Sequence, residues 1–216
     1  MQNDEALLEC RKLGFGYKKN AWILRGVDLT IRKGERVGLV GPSGYGKSTL
    51  AKLLGGYLQP SEGEVLWKGK RLPEKGYCPV QLIYQHPEKA LNPRLKLGQS
   101  LCEGWDADPG LLRRLCIREE WKERWPNELS GGELQRFCVA RVLGPETEFI
   151  LSDEMSTMLD AITQAQIWKV LLEEAESRNL GMLVVTHNIA LAKKICTRIV
   201  DITSLSKTDF EKISKK

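Results

Sequence analysis

Gly41-Pro-Ser-Gly-Tyr-Gly46-Lys47-Ser48-Thr49 is the stretch that decides the fold of this 216-residue chain. We call it the phosphate loop because it fits the pattern G-x-x-x-x-G-K-[ST] at every defined position. Residues 36–40 before it are short and apolar enough for a buried parallel strand, and residues 50–54 after it predict a helix. The pattern therefore has the strand, loop and helix context in which it binds a nucleoside triphosphate.

The residue types of the phosphate loop suit that ligand. Its glycines let the backbone turn successive N–H groups towards the β-phosphate at a helix N-terminus. Lys47 would reach the β- and γ-phosphates, Ser48 would offer a hydroxyl to Mg²⁺, and Thr49 would support the same phosphates. A glycine-rich turn of purely structural role would leave the Lys-Ser pair unexplained. The loop residues predicted to bind nucleotide are Gly41, Ser43, Gly44, Gly46, Lys47, Ser48 and Thr49.

Length and composition narrow the class of protein. The chain is long enough for one α/β domain, or for one domain with a small inserted lobe. No apolar run approaches the ~20 residues that span a bilayer, and residues 1–5 do not resemble a signal peptide, so we expect a cytosolic chain unless a partner holds it at a membrane. Six cysteines without a C-x-x-C pair disfavour a metal site and fit reduced thiols. The net charge of +5 is spread along the chain and indicates a solvated surface rather than nucleic-acid binding.

Strand and helix patterns predict the layout around the phosphate loop. Residues 5–12 and 22–31 have strand patterns, which predicts an antiparallel sheet beside the main one. From residue 86 onwards prolines and tryptophans replace the strand pattern, so we expect a small helical insertion within residues 86–144. Residues 111–125 have helical periodicity, and two tryptophans spaced i, i+4 within them would share a helix face. The polar residues 207–216 are expected to fray.

Polar side chains stand where the other predicted strands end. Gln85 can coordinate Mg²⁺ or orient a water, and His187 follows the last apolar strand. Because adjacent side chains of a strand diverge, Asp153 would face the metal while Glu154 would polarise a water aimed at the γ-phosphate. The carboxyl ends of parallel strands line one edge of a sheet, so we expect these residues to converge with Ser48. Each also has a plain structural interpretation, as a polar strand end, a turn or a surface histidine.

Two further segments can contact a nucleotide. Residues 130–133, Ser-Gly-Gly-Glu, form what we call the serine-diglycine turn, and they fit the capping box S-x-x-E of an ordinary helix start. The two glycines weaken a helix by about 1 kcal/mol each relative to alanine, which makes sense if a ligand must approach this N-terminus closely. Tyr17 lies in a predicted loop, where its ring can stack on a base or pack as a core aromatic.

Taken together, these segments resemble the nucleotide-binding subunits of ABC transporters over residues 7–199. The phosphate loop, Gln85, the Leu-Ser-Gly-Gly-Glu signature, Asp153-Glu154, Leu159-Asp160 and His187 occur in that family's order. The resemblance implies an α/β P-loop NTPase fold of the ABC type, with a mainly parallel sheet, an antiparallel β subdomain and a short helical subdomain insertion. It also implies ATP and Mg²⁺ as ligands.

The same resemblance implies a shared active site between two copies. Two domains would close head to tail, so that Ser130 and Gly132 of one grip the γ-phosphate held by Lys47 of the other. Glu154 would act as the base, and His187 would sense the γ-phosphate. The residues assigned to the nucleotide in this way, besides the phosphate loop, are Tyr17, Ser130, Gly131, Gly132 and Asp160.

A finer resemblance is to importers of oligopeptides, dipeptides and nickel. It rests on residues 85–94, 124–132 and 160–167, above all on the Asn-Pro-Arg after the glutamine. Met155, Met158 and Glu133 depart from the family's pattern, the helical lobe is shorter by about one helix, and a cysteine-bearing C-terminal extension is missing, which favours nickel or a metal chelate as cargo. The expected partners are a second ATP-binding subunit, identical or not, a membrane permease and, indirectly, an extracytoplasmic substrate-binding protein.

Other ATPases with the same head are the alternatives. An exporter subunit is disfavoured by the importer-like segments. A DNA-repair or chromosome-associated ATPase would need a long coiled coil, for which residues 86–128 leave no room. A translation-associated ATPase normally carries two ATP-binding domains in one chain, whereas this sequence has one. We therefore expect a peripheral subunit at the cytoplasmic face of a membrane, without nucleic acid as a partner.

Overall fold

The computed structural model describes residues 6–18 and 21–206. Contacts divide these residues into two units. The first unit combines the described residues up to Gly76 with those from Gly181 onwards, and the second is Tyr77–Leu180. The second unit contains strands and a long helix besides the expected insertion 86–144, so the single-domain boundaries stay a prediction. The predictions for residues 1–5 and 207–216 concern residues outside the described part.

Strands and helices alternate from residue 131 onwards, whereas strands dominate the chain before residue 84. The strands are β1 (Ala6–Phe15), β2 (Leu24–Arg32), β3 (Arg36–Val40), β4 (Glu62–Trp67), β5 (Val80–Ile83), β6 (Phe149–Asp153), β7 (Gly181–Val185) and β8 (Arg198–Asp201). The α-helices are α1 (Lys47–Leu54), α2 (Leu97–Leu101), α3 (Pro109–Arg114), α4 (Gly131–Val142), α5 (Ala161–Ser177), α6 (Ile189–Ile195) and α7 (Ile202–Leu205). Within residues 6–18 and 21–206, none of the helices is long and apolar enough to cross a membrane.

An antiparallel sheet in the first unit has the order β2-β1-β4, which confirms the prediction from the early strand patterns. Buried and exposed residues alternate along β2, so one face of this strand is buried and the other is exposed. Register shifts interrupt the pairing of β1 with β2, and Lys12 within β1 has a left-handed backbone with φ of 47°. Such bulges increase the local twist of a strand.

The parallel strands of the first unit carry the phosphate loop. β3 pairs in parallel with β7 and with β8. β3 and β7 are buried almost throughout, as expected of strands covered on both faces. A Cβ on Gly38 of β3 would lie 3.3 Å from the Cβ of Ala192 in α6, so the glycine permits close packing of this helix on the strand.

The second unit has its own parallel pair and a helical core. β5 pairs with β6, with Ile83 opposite Ser152, and all residues of β6 are buried. α4 is buried from Leu134 to Ala140. Phe137 of α4 and Phe149 of β6 are the largest of the fully buried side chains in this core. The predicted combination of parallel strands, antiparallel strands and an added helical segment is confirmed.

The prediction of one helix over residues 111–125 is wrong. α3 ends at Arg114, and a separate 3₁₀ turn covers Glu119–Glu123. Cys116 between them has a left-handed backbone with φ of 55°, a conformation that ends a helix.

The two tryptophans of that stretch do not share a helix face. Trp121 is buried, whereas Trp125 is 41% exposed. Trp125 has an extended backbone with ψ of 156° because it precedes Pro126, which disfavours the helical conformation in the residue before it.

Candidate functional site

The predicted site residues are divided between the two units. The first unit holds Tyr17, the phosphate loop and His187. The second unit holds the remaining residues, which are Gln85, Ser130, Gly131, Gly132, Asp153, Glu154 and Asp160.

Left-handed glycines shape the phosphate loop. Gly41, Gly44 and Gly46 have φ of 134°, 83° and 85°, values that residues with a side chain rarely adopt. A Cβ on Gly46 would lie 2.9 Å from Ile23 Cγ2 and 2.9 Å from Leu24 Cδ2, whereas a Cβ on Gly44 would meet nothing within 4 Å. Gly46 is therefore required by both conformation and packing, while the backbone at Gly44 stays open to a close ligand.

Lys47 brings a buried positive charge to this loop. It is the first residue of α1 and only 5% exposed. Its Nζ donates hydrogen bonds to the main-chain oxygens of Gly41 and Pro42, both at 2.8 Å. Gly46 at the N-cap offers no side-chain cap, so the positive end of the helix faces the loop. A buried ammonium, a helix N-terminus and an open glycine backbone together fit a phosphate chain.

His187 is held at the same end of the parallel strands as the phosphate loop. It follows β7, and Thr186 N donates to Leu39 O of β3 at 3.2 Å, so the pairing continues to the ends of both strands. Asn188 N donates to Thr186 Oγ1, and Asn188 Oδ1 accepts from Leu191 N at the start of α6. These contacts fix the turn that carries His187.

Tyr17 presents its ring to solvent. The residue is 63% exposed. Its ring meets that of Phe15 edge to face, with 4.9 Å between the centroids. Of the two interpretations that the sequence left open, a buried core aromatic does not fit this exposure, whereas a platform for a base does.

Gln85 and Glu154 meet in the second unit. Each lies two residues beyond the paired residues Ile83 and Ser152, at the carboxyl ends of neighbouring parallel strands. Gln85 Nε2 donates to Glu154 Oε2 at 3.5 Å, the long end of the hydrogen-bond range. Parallel pairing of β5 and β6 therefore brings together two of the residues that the sequence places at strand ends.

The acidic pair after β6 differs in exposure and has a strained backbone. Asp153 is buried and Glu154 is half-buried. Glu154 has a left-handed backbone with φ of 47°, and its main-chain oxygen accepts hydrogen bonds from the N and Oγ1 of Thr157. Such strain costs about 1–3 kcal/mol and clusters at functional sites.

Each unit offers oxygen ligands of the kind that Mg²⁺ prefers. The first unit has the hydroxyl of Ser48, and the second has the buried carboxylate of Asp153 and the amide of Gln85. In the described residues there is no cluster of three or more His, Cys, Asp or Glu side chains that could hold a metal alone. Few protein ligands are usual for Mg²⁺ that is bound together with a nucleotide.

The serine-diglycine turn is exposed and closed by its own side chains. Ser130 is the N-cap of α4, and its N and Oγ both donate to Glu133 Oε2 at 2.8 Å. These hydrogen bonds, first of all that from the Ser130 N–H, hold the pKa of Glu133 below its ordinary value. Neither glycine has a positive φ, and a Cβ on Gly131 would meet nothing within 4 Å. The predicted capping box is present, and the backbone beside it is open to an approaching molecule.

Asp160 caps the neighbouring helix. Its Oδ1 accepts from Ile162 N at 3.0 Å and from Thr163 N at 2.9 Å. Hydrogen bonding to Thr163, first of all to its side chain, lowers the pKa of Asp160. A Cβ on Gly132 would lie 3.4 Å from Thr163 Cγ2, so the serine-diglycine turn lies against the start of α5.

Two buried polar residues of α4 did not stand out in the sequence. Arg136 donates to Leu115 O and to Gln166 Oε1, both at 2.8 Å. Gln135 Nε2 donates to Tyr84 O at 3.3 Å, while Gln135 Oε1 is buried without a hydrogen-bond partner among the described residues. An unpaired buried amide oxygen costs about 1–3 kcal/mol. The available signal was a polar pair inside an otherwise apolar buried helix.

Known proteins of one family are similar to this chain. The family described as ABC transporter matches residues 24–157. The chain is 36% identical over 188 residues to the probable D,D-dipeptide transport ATP-binding protein DdpF of Escherichia coli (strain K12). The aligned region covers 82% of this chain but only 59% of that protein. It is 33% identical over 222 aligned positions to the nickel import ATP-binding protein NikE of Pseudomonas putida, covering 90% of this chain and 81% of that protein.

A solved structure shares the fold. It is a dimeric structure of a post-hydrolysis state of the ATP-binding cassette MJ0796 bound to ADP and Pi. The TM-score is 0.74 at 26% sequence identity, over 90% of this chain and 93% of that chain.

Proposed function

Because this chain belongs to the ABC transporter family, we propose that it binds and hydrolyses ATP as the nucleotide-binding subunit of an importer. The observation that carries the proposal is the phosphate loop, in which the buried ammonium of Lys47 lies among left-handed glycines at the uncapped start of α1. This arrangement suits a triphosphate, and the relatives named for dipeptide and nickel transport suggest what the ATP energises.

Each residue of the site has a role in this proposal. The phosphate loop holds the β- and γ-phosphates, and Tyr17 offers a ring for the adenine. Glu154 accepts a proton from the water that attacks the γ-phosphate, while Gln85, in contact with Glu154, orients that water. His187 senses the γ-phosphate.

Mg²⁺ would neutralise charge on the phosphate oxygens when it is bound with ATP. Ser48, Asp153 and Gln85 are the residues of this chain that would hold it. Asp153 fits this role because its carboxylate is buried, so that its charge acts in a medium that screens it weakly.

A second copy, or a related subunit, would complete the site. Ser130 and Gly131 of the serine-diglycine turn are exposed, and a Cβ on Gly131 would meet nothing within 4 Å, so the backbone there is accessible to a phosphate. In our proposal Ser130 and Gly132 of one subunit contact the γ-phosphate held by Lys47 of the other, with Asp160 at the same contact. The dimeric form of MJ0796 with ADP and Pi supports this arrangement.

Complementation between two inactive variants tests the shared site. Ser130→Arg blocks the serine-diglycine turn and keeps the phosphate loop intact. Lys47→Ala disables the phosphate loop and keeps the serine-diglycine turn intact. Each variant alone should have no ATPase activity. Mixing them should recover part of it, because a mixed dimer contains one intact pair of surfaces. If tagged mixed dimers form and stay inactive, the shared site is wrong.

The variant Glu154→Gln tests the catalytic base. It should bind ATP as the parent does, accumulate as a closed dimer, and lose turnover by about 10²–10⁴-fold, the usual contribution of a general base. Phosphate release and light scattering measure the two effects. Hydrolysis at the parental rate would refute the assignment of Glu154.

In our proposal other subunits recognise the cargo, not this chain. We therefore propose only the class of cargo, which is nickel, a metal chelate or a peptide. The chain would lie at the cytoplasmic face of a membrane, bound to a permease. An extracytoplasmic substrate-binding protein would deliver the cargo to that permease. Co-purification from native membranes tests this part. A hydrophobic permease should accompany the chain, whereas DNA or ribosomes would indicate one of the non-transport ATPases, and an export permease would correct the direction of transport.

A further inference from the structure

Gln135 is a buried amide that the proposed mechanism does not use. It lies in the second turn of α4 and is 1% exposed. Only one of its two polar atoms has a partner among the described residues, the Nε2 that donates to Tyr84 O at 3.3 Å. Since a buried polar atom without a partner is unfavourable, packing alone would favour an apolar residue here.

The partner of Gln135 lies directly before a residue of the site. Tyr84 follows β5 and precedes Gln85, whose Nε2 donates to Glu154 Oε2 at 3.5 Å. Two hydrogen bonds therefore connect α4 to the acid that we propose as the base. Both are at the long end of the hydrogen-bond range, so a displacement of a few tenths of an ångström would strengthen or break them.

The N-terminus of α4, about one turn before Gln135, carries the serine-diglycine turn. Ser130 caps the helix, and Gln135 follows it by about 7.5 Å along the axis at a rise of 1.5 Å per residue. The helix is buried continuously from Leu134 to Ala140. A close-packed helix of this length moves as a body, so a shift at the turn reaches Gln135.

We infer that Gln135 is a positioning residue, which passes a shift of the serine-diglycine turn through Tyr84 to the contact between Gln85 and Glu154. Its unpaired Oε1 gives the amide a second atom with which to bond when α4 moves. The inference rests on the proposed function, because the shift arises when the turn meets the γ-phosphate on a second subunit.

The test is Gln135→Met, which keeps the length of the side chain and removes both polar atoms. We expect Tm to stay within about 2 °C of the parent or to rise, because the unpaired oxygen is gone. The kcat of ATP hydrolysis should fall about tenfold while KM for ATP changes less than about twofold, since Gln135 does not touch the nucleotide. A purely structural glutamine would give the reverse, a lower Tm with kcat unchanged, and that result would overturn the inference.

Gln81→Met is the matched control. Gln81 also lies in the second unit, on β5, and its Nε2 donates to a main-chain oxygen, that of Cys78, at 2.7 Å. This substitution removes the same kind of hydrogen bond without touching Tyr84. Its kcat should stay within about twofold of the parent. An equal loss of kcat in both variants would mean that the loss of any such side-chain hydrogen bond in this unit slows turnover, which would overturn the inference.

Two further variants keep the inference testable if Gln135→Met folds poorly. Gln135→Asn keeps both polar atoms but shortens the side chain, so it should lose kcat as the methionine does, and parental kcat would contradict the inference. In a Gln85→Ala background the asparagine should add nothing, because Gln135 acts through Gln85, and an additive loss would contradict it. Absence of hydrolysis by the parental complex would overturn the proposed function as well, whereas normal hydrolysis with unaffected Gln135 variants would overturn this inference alone.

Discussion

The phosphate loop and the serine-diglycine turn are both glycine-rich helix starts, but they are built in different ways. The loop turns through left-handed glycines, leaves α1 without a side-chain cap and buries the ammonium of Lys47. The turn has no left-handed glycine, is exposed, and closes α4 with the side chains of Ser130 and Glu133.

This difference indicates which surface binds first. The phosphate loop combines a buried cation with an uncapped helix N-terminus in one chain, so it can hold a triphosphate alone. The only hydroxyl of the turn, on Ser130, donates its hydrogen bond to Glu133, whose negative charge opposes a phosphate. In our proposal the turn therefore contributes to binding only when another surface presents the phosphate to it, as in a site shared between subunits.

Gly46→Ala should have the largest effect and tests the loop side of the comparison. Alanine at φ of 85° is strained, and its Cβ would lie 2.9 Å from Ile23 Cγ2 and from Leu24 Cδ2. Strain and overpacking together should lower the free energy of unfolding by about 2–4 kcal/mol. Urea unfolding measures the change, and ATP binding should be lost in the same variant. A loss below about 0.5 kcal/mol would show that the loop is not fixed by this glycine.

Gly131→Ala is the matched change in the serine-diglycine turn. The backbone there is not left-handed and a Cβ meets nothing within 4 Å, so alanine should leave stability unchanged or raise it by up to about 1 kcal/mol. ATPase activity should nevertheless fall, because the added methyl group blocks the approach of a phosphate. Destabilisation equal to that of Gly46→Ala would remove the contrast between the two helix starts.

Lys47→Ala and Ser130→Ala should separate nucleotide binding from stability. Removal of the buried ammonium should weaken ATP binding to the isolated chain by about 10–100-fold, the effect of one or two charge-assisted hydrogen bonds. Ser130→Ala should leave that affinity unchanged and lower the free energy of unfolding by about 1 kcal/mol, because α4 loses its N-cap. Calorimetric titration and urea unfolding measure these effects. Weaker ATP binding by the isolated Ser130 variant would contradict the order of binding.

The sequence predicts the local parts of this fold better than their contacts. The strand, loop and helix at the phosphate loop and the capping box at Ser130 follow from short-range chemistry, and the structure has both. The helix over 111–125 failed because periodicity does not show that Cys116 would turn left-handed. Arg136 and Gln135 were missed since their hydrogen bonds reach residues 21 and 51 positions away, which no local pattern encodes.

Glu133→Gln should change stability least, and it tests the role of charge in the serine-diglycine turn. Hydrogen bonds from Ser130, assisted by the charges of Arg118 and Arg124, hold the pKa of Glu133 below its ordinary value. A depressed carboxyl pKa stabilises the fold above the unfolded-state pKa of about 4.3, and that stability is lost as the pH falls through the folded-state pKa.

The parent should therefore be more stable than Glu133→Gln at pH 7, and the difference should shrink as the pH falls below about 4. Thermal unfolding of both proteins from pH 7 to pH 3 measures it, because the other carboxyls titrate in both and cancel in the difference. A difference that is constant with pH would mean that Glu133 is held by its shape and not by its charge. In that case its negative charge could not be what keeps a phosphate from the isolated turn, and the explanation for the order of binding would have to rest on the cation of the phosphate loop alone.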